Sequence, residues 1–118
     1  MPEGAPVVLL ISADPRASHR ANEALRIGLG VAAGDNQILV VLAGPAARLL
    51  DADTDELVDG DDIAKYRANL QALGVPFHVE QTAIPDDPGW NAAGHEVVPV
   101  TSGRIAELVR RGRRFLAF

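Results

Sequence analysis

The chain has 118 residues, of which 47% are hydrophobic, and a formal net charge of −5 at pH 7. This length suits one domain with one core, and we expect residues 1–118 to form it. The sequence contains no cysteine, which excludes disulfides and thiolate chemistry, and its acidic balance argues against a nucleic-acid partner.

The first element is the apolar run APVVLLISA at residues 5–13. It is too short to span a membrane, no basic residue precedes it, and no cleavage site follows it. We therefore interpret it as a buried strand and expect a soluble, cytoplasmic domain without a membrane partner.

Short apolar runs rich in β-branched residues alternate along the chain with helical patterns. The runs predict strands at residues 6–12, 37–44, 75–80, 96–100 and 113–118. The helical patterns lie at residues 18–34, 61–74 and 102–112. The order β-α-β-α-β-β-α-β predicts an α/β fold, a three-layer α/β/α sandwich with a mainly parallel five-stranded sheet.

Each predicted helix has a polar residue at its start and a glycine behind it. The predicted N-caps are Ser18, Asp61 and Ser102, and the terminating glycines are Gly34, Gly74 and Gly112. On the second helix, the spacing assigns Ile63, Tyr66, Leu70 and Leu73 to the core-facing side.

The segment 51–62, DADTDELVDGDD, has seven acidic residues in twelve and resembles a calcium-binding EF-hand loop in its spacing. Glu56 stands where such a loop needs a turn glycine, and Asp62 stands where it needs a longer glutamate. We therefore expect a solvated acidic loop that leads into a helix N-terminus, with no metal and no cofactor.

A second long loop, residues 82–95, contains the chain's one tryptophan, Trp90, and two prolines. Loops of this length in small domains are often lids or interfaces. We expect Trp90 to cover the end of the sheet or a partner subunit.

Polar residues follow the first and third predicted strands, at the edge where parallel sheets usually carry their sites. His78 and Glu80 alternate onto one face of the third strand, although a structural hydrogen bond or a solvated edge is favoured over a catalytic dyad. We assign no catalytic residue. The candidate pocket comprises Asp14, Arg16, His19, His78, Glu80, Gln81 and Thr82.

The last helix and strand are rich in arginine. A patch for anions or nucleic acid is one interpretation, but cations at a helix C-terminus also offset its dipole, and we favour that interpretation. The arginines are Arg104, Arg110, Arg111, Arg113 and Arg114.

Three segments together resemble the DsrE/DsrF-like sulfur-relay family: residues 7–50, LQALGVPFHVEQTAI at 70–84, and SGRIAELVRRGRRFLAF at 102–118. The resemblance implies an α/β/α domain that assembles into trimers, hexamers or mixed complexes. In active members, a cysteine at the seventh position counted from the glycine of the GV pair carries a persulfide. From Gly74 that position is Glu80, and the place of a second cysteine is Ala83.

A carboxylate cannot carry a sulfane sulfur, so the family's chemistry is not available to this chain alone. We favour a non-catalytic member that forms a homo-oligomer, a trimer or hexamer, or binds a protein partner. One alternative is a small-ligand or metal-binding domain at the strand ends. The other is an enzyme of different chemistry with Glu80 as general base.

Overall fold

The computed structural model describes residues 5–118 and contains one five-stranded sheet in that range. The strands are β1 (Val7–Ile11), β2 (Ile38–Leu42), β3 (Phe77–Glu80), β4 (Val97–Val100) and β5 (Arg114–Ala117). Their order across the sheet is β4-β3-β2-β1-β5, and every neighbouring pair is parallel. The predicted α/β class and the parallel sheet are therefore confirmed.

Three α-helices connect these strands: α1 (Arg20–Ala33), α2 (Gly60–Ala72) and α3 (Ser102–Arg111). Two 3-10 helices, which the sequence analysis did not predict, follow β2 and β3 at Gly44–Leu50 and Gln81–Ala83. In residues 5–118, no helix has the length and apolar character needed to cross a membrane.

The helices cover both faces of the sheet, because successive strand residues point to opposite sides. Leu9, Val40 and Phe77 face α1 and α2 and belong to the larger core cluster. Val8 and Val41 face the other way and pack with Ile105 of α3 in a smaller cluster. This arrangement is the predicted three-layer sandwich.

The predicted N-caps are wrong by one or two residues. Helix α1 follows His19, while the Ser18 hydroxyl accepts a hydrogen bond from the backbone N–H of Arg20. Helix α3 is capped by Thr101, whose hydroxyl accepts from the backbone N–H of Arg104 at 3.1 Å. Ser102 is therefore the first helical residue, and the threonine before it supplies the capping oxygen.

Helix α2 begins one residue before the predicted cap Asp61. Its first residue is Gly60, which follows Asp59 in a left-handed backbone conformation with φ of 57°. A Cβ at Gly60 would lie 2.0 Å from the carbonyl oxygen of Thr54. The close approach of the acidic loop therefore requires glycine at the start of this helix.

Candidate functional site

Glu80 is the last residue of β3, so its side chain lies at the carboxyl end of the sheet. One of its carboxylate oxygens accepts a hydrogen bond from the backbone N–H of Gly44 at 3.0 Å. Gly44 begins the 3-10 helix after β2 and has φ of 54°, which is a glycine-favoured conformation. The half-buried Glu80 carboxylate therefore connects the ends of β2 and β3.

Asp14 and Arg16 form a paired motif in the loop after β1. The Asp14 carboxylate accepts from Arg16 Nε at 3.0 Å, from Arg16 Nη2 at 3.1 Å and from the Arg16 backbone N–H at 2.9 Å. The side-chain hydrogen bond from Arg16 is the main cause that lowers the pKa of Asp14. The motif therefore fixes the direction of an exposed guanidinium group.

An open cleft of about 420 Å³ lies at this end of the sheet. Three of the predicted pocket residues, Arg16, Glu80 and Thr82, line it together with Arg48. Its remaining lining residues are Gly44, Pro45, Ala47, Ala83, Ile84 and Pro85. The cleft thus combines two cationic side chains and one carboxylate with a small apolar wall.

The other predicted pocket residues do not line this cleft. His19 and Gln81 are exposed, and Asp14 contributes only through Arg16. His78 lies on β3 beside Val41, which belongs to the core cluster on the α3 side. Burial is the main cause that lowers the pKa of His78.

The His78 and Glu80 side chains do not form a hydrogen-bonded pair within residues 5–118. The carboxylate of Glu80 accepts from Gly44, and the buried Nδ1 atom of His78 has no hydrogen-bond partner among the described residues. The geometry therefore provides no catalytic dyad on β3.

Arg67 is the main structural residue of this region that the sequence analysis missed. Its side chain is 5% exposed, and Nη1 donates to the carbonyl oxygens of Leu49 and Asp51, both at 2.7 Å. Burial is the main cause that lowers its pKa. Its spacing in the sequence could have indicated this burial, because Arg67 lies four residues after Ile63 and three before Leu70 on the buried side of α2.

His95, the last residue of the 82–95 loop, is a second buried ionisable residue and is 7% exposed. Its ring meets the Phe77 ring edge-on, with centroids 5.7 Å apart. Burial is the main cause that lowers the pKa of His95, and the nearby positive charge of Arg67 lowers it further. The Nδ1 atom of His95 has no hydrogen-bond partner within the described part of the chain.

Trp90 packs against residues of the same chain. Its indole N–H donates to the carbonyl oxygen of Ala47 at 2.7 Å, and its backbone forms an antiparallel bridge with Asp51. The backbone N–H of Asn91 donates to Leu50. The 82–95 loop therefore covers the 3-10 helix after β2, whereas the sequence predicted that Trp90 covers the end of the sheet or a partner subunit.

The acidic loop, residues 51–62, is held at the same end of the sheet. Val58 N–H donates to the carbonyl oxygen of Pro15 at 2.7 Å, and Leu57 is buried. Asp51 receives a hydrogen bond from Arg48, which also contacts Asp87. Across residues 5–118, no three acidic or histidine side chains are grouped so that they could hold a metal ion.

The fold resembles that of YchN. The crystal structure of the YchN protein from E. coli, a protein of the DsrE/DsrF-like fold, superposes with a TM-score of 0.75. The match covers 97% of this chain and 99% of YchN, at 17% sequence identity. No family model matches the sequence, and no curated protein matches it. The likeness at this identity concerns the fold.

Proposed function

We propose that this protein is a DsrE/DsrF-like domain without persulfide chemistry, which acts by assembling with itself or with a protein partner. The proposal combines the YchN-like fold with the three sequence segments that resemble the family. The observation that carries it is Glu80, which occupies the counted position of the family's sulfur-carrying cysteine at the end of β3.

The contact of Glu80 supports a structural role for this position. Its carboxylate accepts the Gly44 backbone N–H, so the side chain that replaces the nucleophile also holds the strand ends together. A persulfide needs a thiolate, and the sequence has no cysteine at any position. The expected function is therefore binding or assembly.

Incubation of the protein with inorganic polysulfide, followed by intact-protein mass spectrometry, tests the absence of sulfur transfer. We expect no adduct on the natural chain. The Glu80→Cys variant should gain sulfur faster than a Thr82→Cys control, which places a thiol elsewhere in the same cleft. A sulfur adduct on the natural chain contradicts the proposal. Equal reactivity of the two introduced cysteines would show that position 80 does not activate a thiol more than position 82 does.

Sedimentation equilibrium tests the proposed assembly, for which the resemblance favours a trimer or a multiple of three. The 12.5 kDa chain should sediment above monomer mass at tens of micromolar protein. Trp90 does not motivate this expectation, because its indole N–H donates to the carbonyl oxygen of Ala47 in the same chain. The motivation is the family resemblance; Phe115 and Val98, which are 46% and 36% exposed, lie on opposite edge strands of the sheet and do not form one apolar patch.

A second function, the binding of a small ligand at the strand ends, is favoured by the cleft itself. Arg16, Glu80 and Thr82 line one open surface of about 420 Å³ next to the apolar side chain of Ile84. Native mass spectrometry of the purified protein, with Arg16→Gln as the variant, tests it. A retained small molecule that is lost in the variant supports ligand binding, and a bare protein in both cases contradicts it.

A further inference from the structure

The most exposed aromatic side chain lies next to an unusual concentration of positive charge. Phe115 of β5 is 46% exposed, and residues 110–114 include four arginines that are all exposed. We call the outer edge formed by β5 and the end of α3, with Phe115, Arg110, Arg113 and Arg114, the β5 patch. As consecutive strand residues, Arg114 and Phe115 point to opposite faces of the sheet at this edge. These three arginines have no carboxylate within ion-pair distance among residues 5–118, whereas Arg111 contacts Glu107.

The negative charge of the chain is concentrated in the acidic loop, residues 51–62. Asp51 is paired with Arg48, and the six other carboxylates of the loop are exposed without an ion-pair partner in the described range. The loop is not a loose tail, because Leu57 is buried and Val58 is bonded to Pro15. Its carboxylates therefore project from a fixed backbone, so little ordering is needed before they can bind.

The two charged surfaces lie at opposite ends of the sheet. Arg114 and Phe115 pair with Val7 and Val8, at the amino end of β1. The acidic loop is bonded to Pro15, beyond the carboxyl end of β1. Because all strands are parallel, the two surfaces cannot meet within one chain, but they can meet between two chains arranged head to tail.

We propose that the β5 patch is the docking surface for the acidic loop of a second copy of this chain. This inference rests on the proposed assembly and specifies its geometry. Contact between two identical β5 patches would place arginines against arginines, so the interface joins different surfaces of the two copies. Such a contact is heterologous, so successive copies form a closed ring if the rotation between them closes and an open chain if it does not.

Charge reversal with a charge-swapped rescue tests the docking. Arg110→Glu with Arg114→Glu makes the patch acidic, and Asp55→Lys with Glu56→Lys makes the loop basic; all four side chains are exposed. We expect either double variant to weaken self-association at 50 mM salt by about tenfold or more. The quadruple variant reverses both surfaces and should restore association.

A matched control, Arg26→Glu with Lys65→Glu on α1 and α2, changes the net charge as much as the patch variant and should leave association unchanged.

The natural chain supplies a measurement that does not depend on variant folding. Its self-association should weaken by about tenfold between 50 and 500 mM salt, as expected for contacts between charged surfaces. Three results would overturn the docking and leave the proposed assembly standing. They are association that is insensitive to salt, association that neither double variant weakens, and a failure of the quadruple variant to restore association. A monomer at all salt concentrations overturns both.

Discussion

Replacement of Arg67 by methionine should destabilise the protein by about 3 kcal/mol. Methionine fills much of the space, but it leaves the carbonyl oxygens of Leu49 and Asp51 without the Nη1 donor that lies 2.7 Å from each. Hydrogen bonds from a charged donor contribute roughly 1.5–3 kcal/mol each. Removal of a buried guanidinium, whose Nε atom has no hydrogen-bond partner in residues 5–118, offsets part of that loss.

Urea unfolding monitored by Trp90 fluorescence measures this loss of stability. Trp90 is a suitable probe because its indole N–H donates to Ala47 in the 3-10 helix Gly44–Leu50, and Arg67 bonds to the end of the same helix. We expect a lower midpoint with an unchanged slope. Arg26→Met provides the control, since that arginine is exposed on α1, and it should change the free energy of unfolding by less than about 0.5 kcal/mol. A loss below about 1 kcal/mol for Arg67→Met would refute the structural role assigned to these hydrogen bonds.

Three further predictions concern pH, the start of α2 and calcium. Burial lowers the folded-state pKa of both His78 and His95, so their contribution to stability is complete above the ordinary histidine pKa of about 6.5 and is lost as the pH falls through the lowered values. Thermal melts should show a melting temperature that falls as the pH is lowered from 7.5 to 5. In the His95→Asn variant the melting temperature should depend less on pH. An unchanged dependence in that variant contradicts the contribution assigned to His95. Gly60→Ala should cost about 2 kcal/mol or more in a urea titration, because its Cβ would collide with the Thr54 carbonyl; a neutral effect would mean that the loop moves aside. Calorimetric titration at low salt should detect no calcium binding to residues 51–62 at micromolar affinity, and such binding would overturn the solvated-loop interpretation.

The sequence predicted the sheet well because buried parallel strands leave a strong local pattern. The runs around β1 and β2 are continuous and β-branched, and the structure places them within one or two residues of the predicted bounds. The second strand ends earlier than predicted because Gly44 begins a 3-10 helix. Leu73, predicted to face the core, is 51% exposed, since α2 ends just before it.

The site was less predictable because its contacts join residues far apart in the sequence. Arg67 was overlooked because arginine is rarely fully buried, and only its spacing between Ile63 and Leu70 indicated otherwise. The Glu80 bond to Gly44 depends on how the ends of β2 and β3 meet, which no local pattern encodes. His19 and Glu80 were grouped because both lie near the carboxyl ends of predicted strands, yet only Glu80 lines the cleft.

The position of β5 beside β1 has a consequence for how the chain reaches its native state. Val7 pairs with Arg114, so one edge of the internal strand β1 has no strand partner until nearly the whole sequence has been synthesised. Pairings between residues this distant in sequence form slowly, because a long loop must close first. A nascent or truncated chain that lacks β5 would present the apolar strand VVLLI with unpaired backbone groups, the kind of edge at which strands from different chains aggregate.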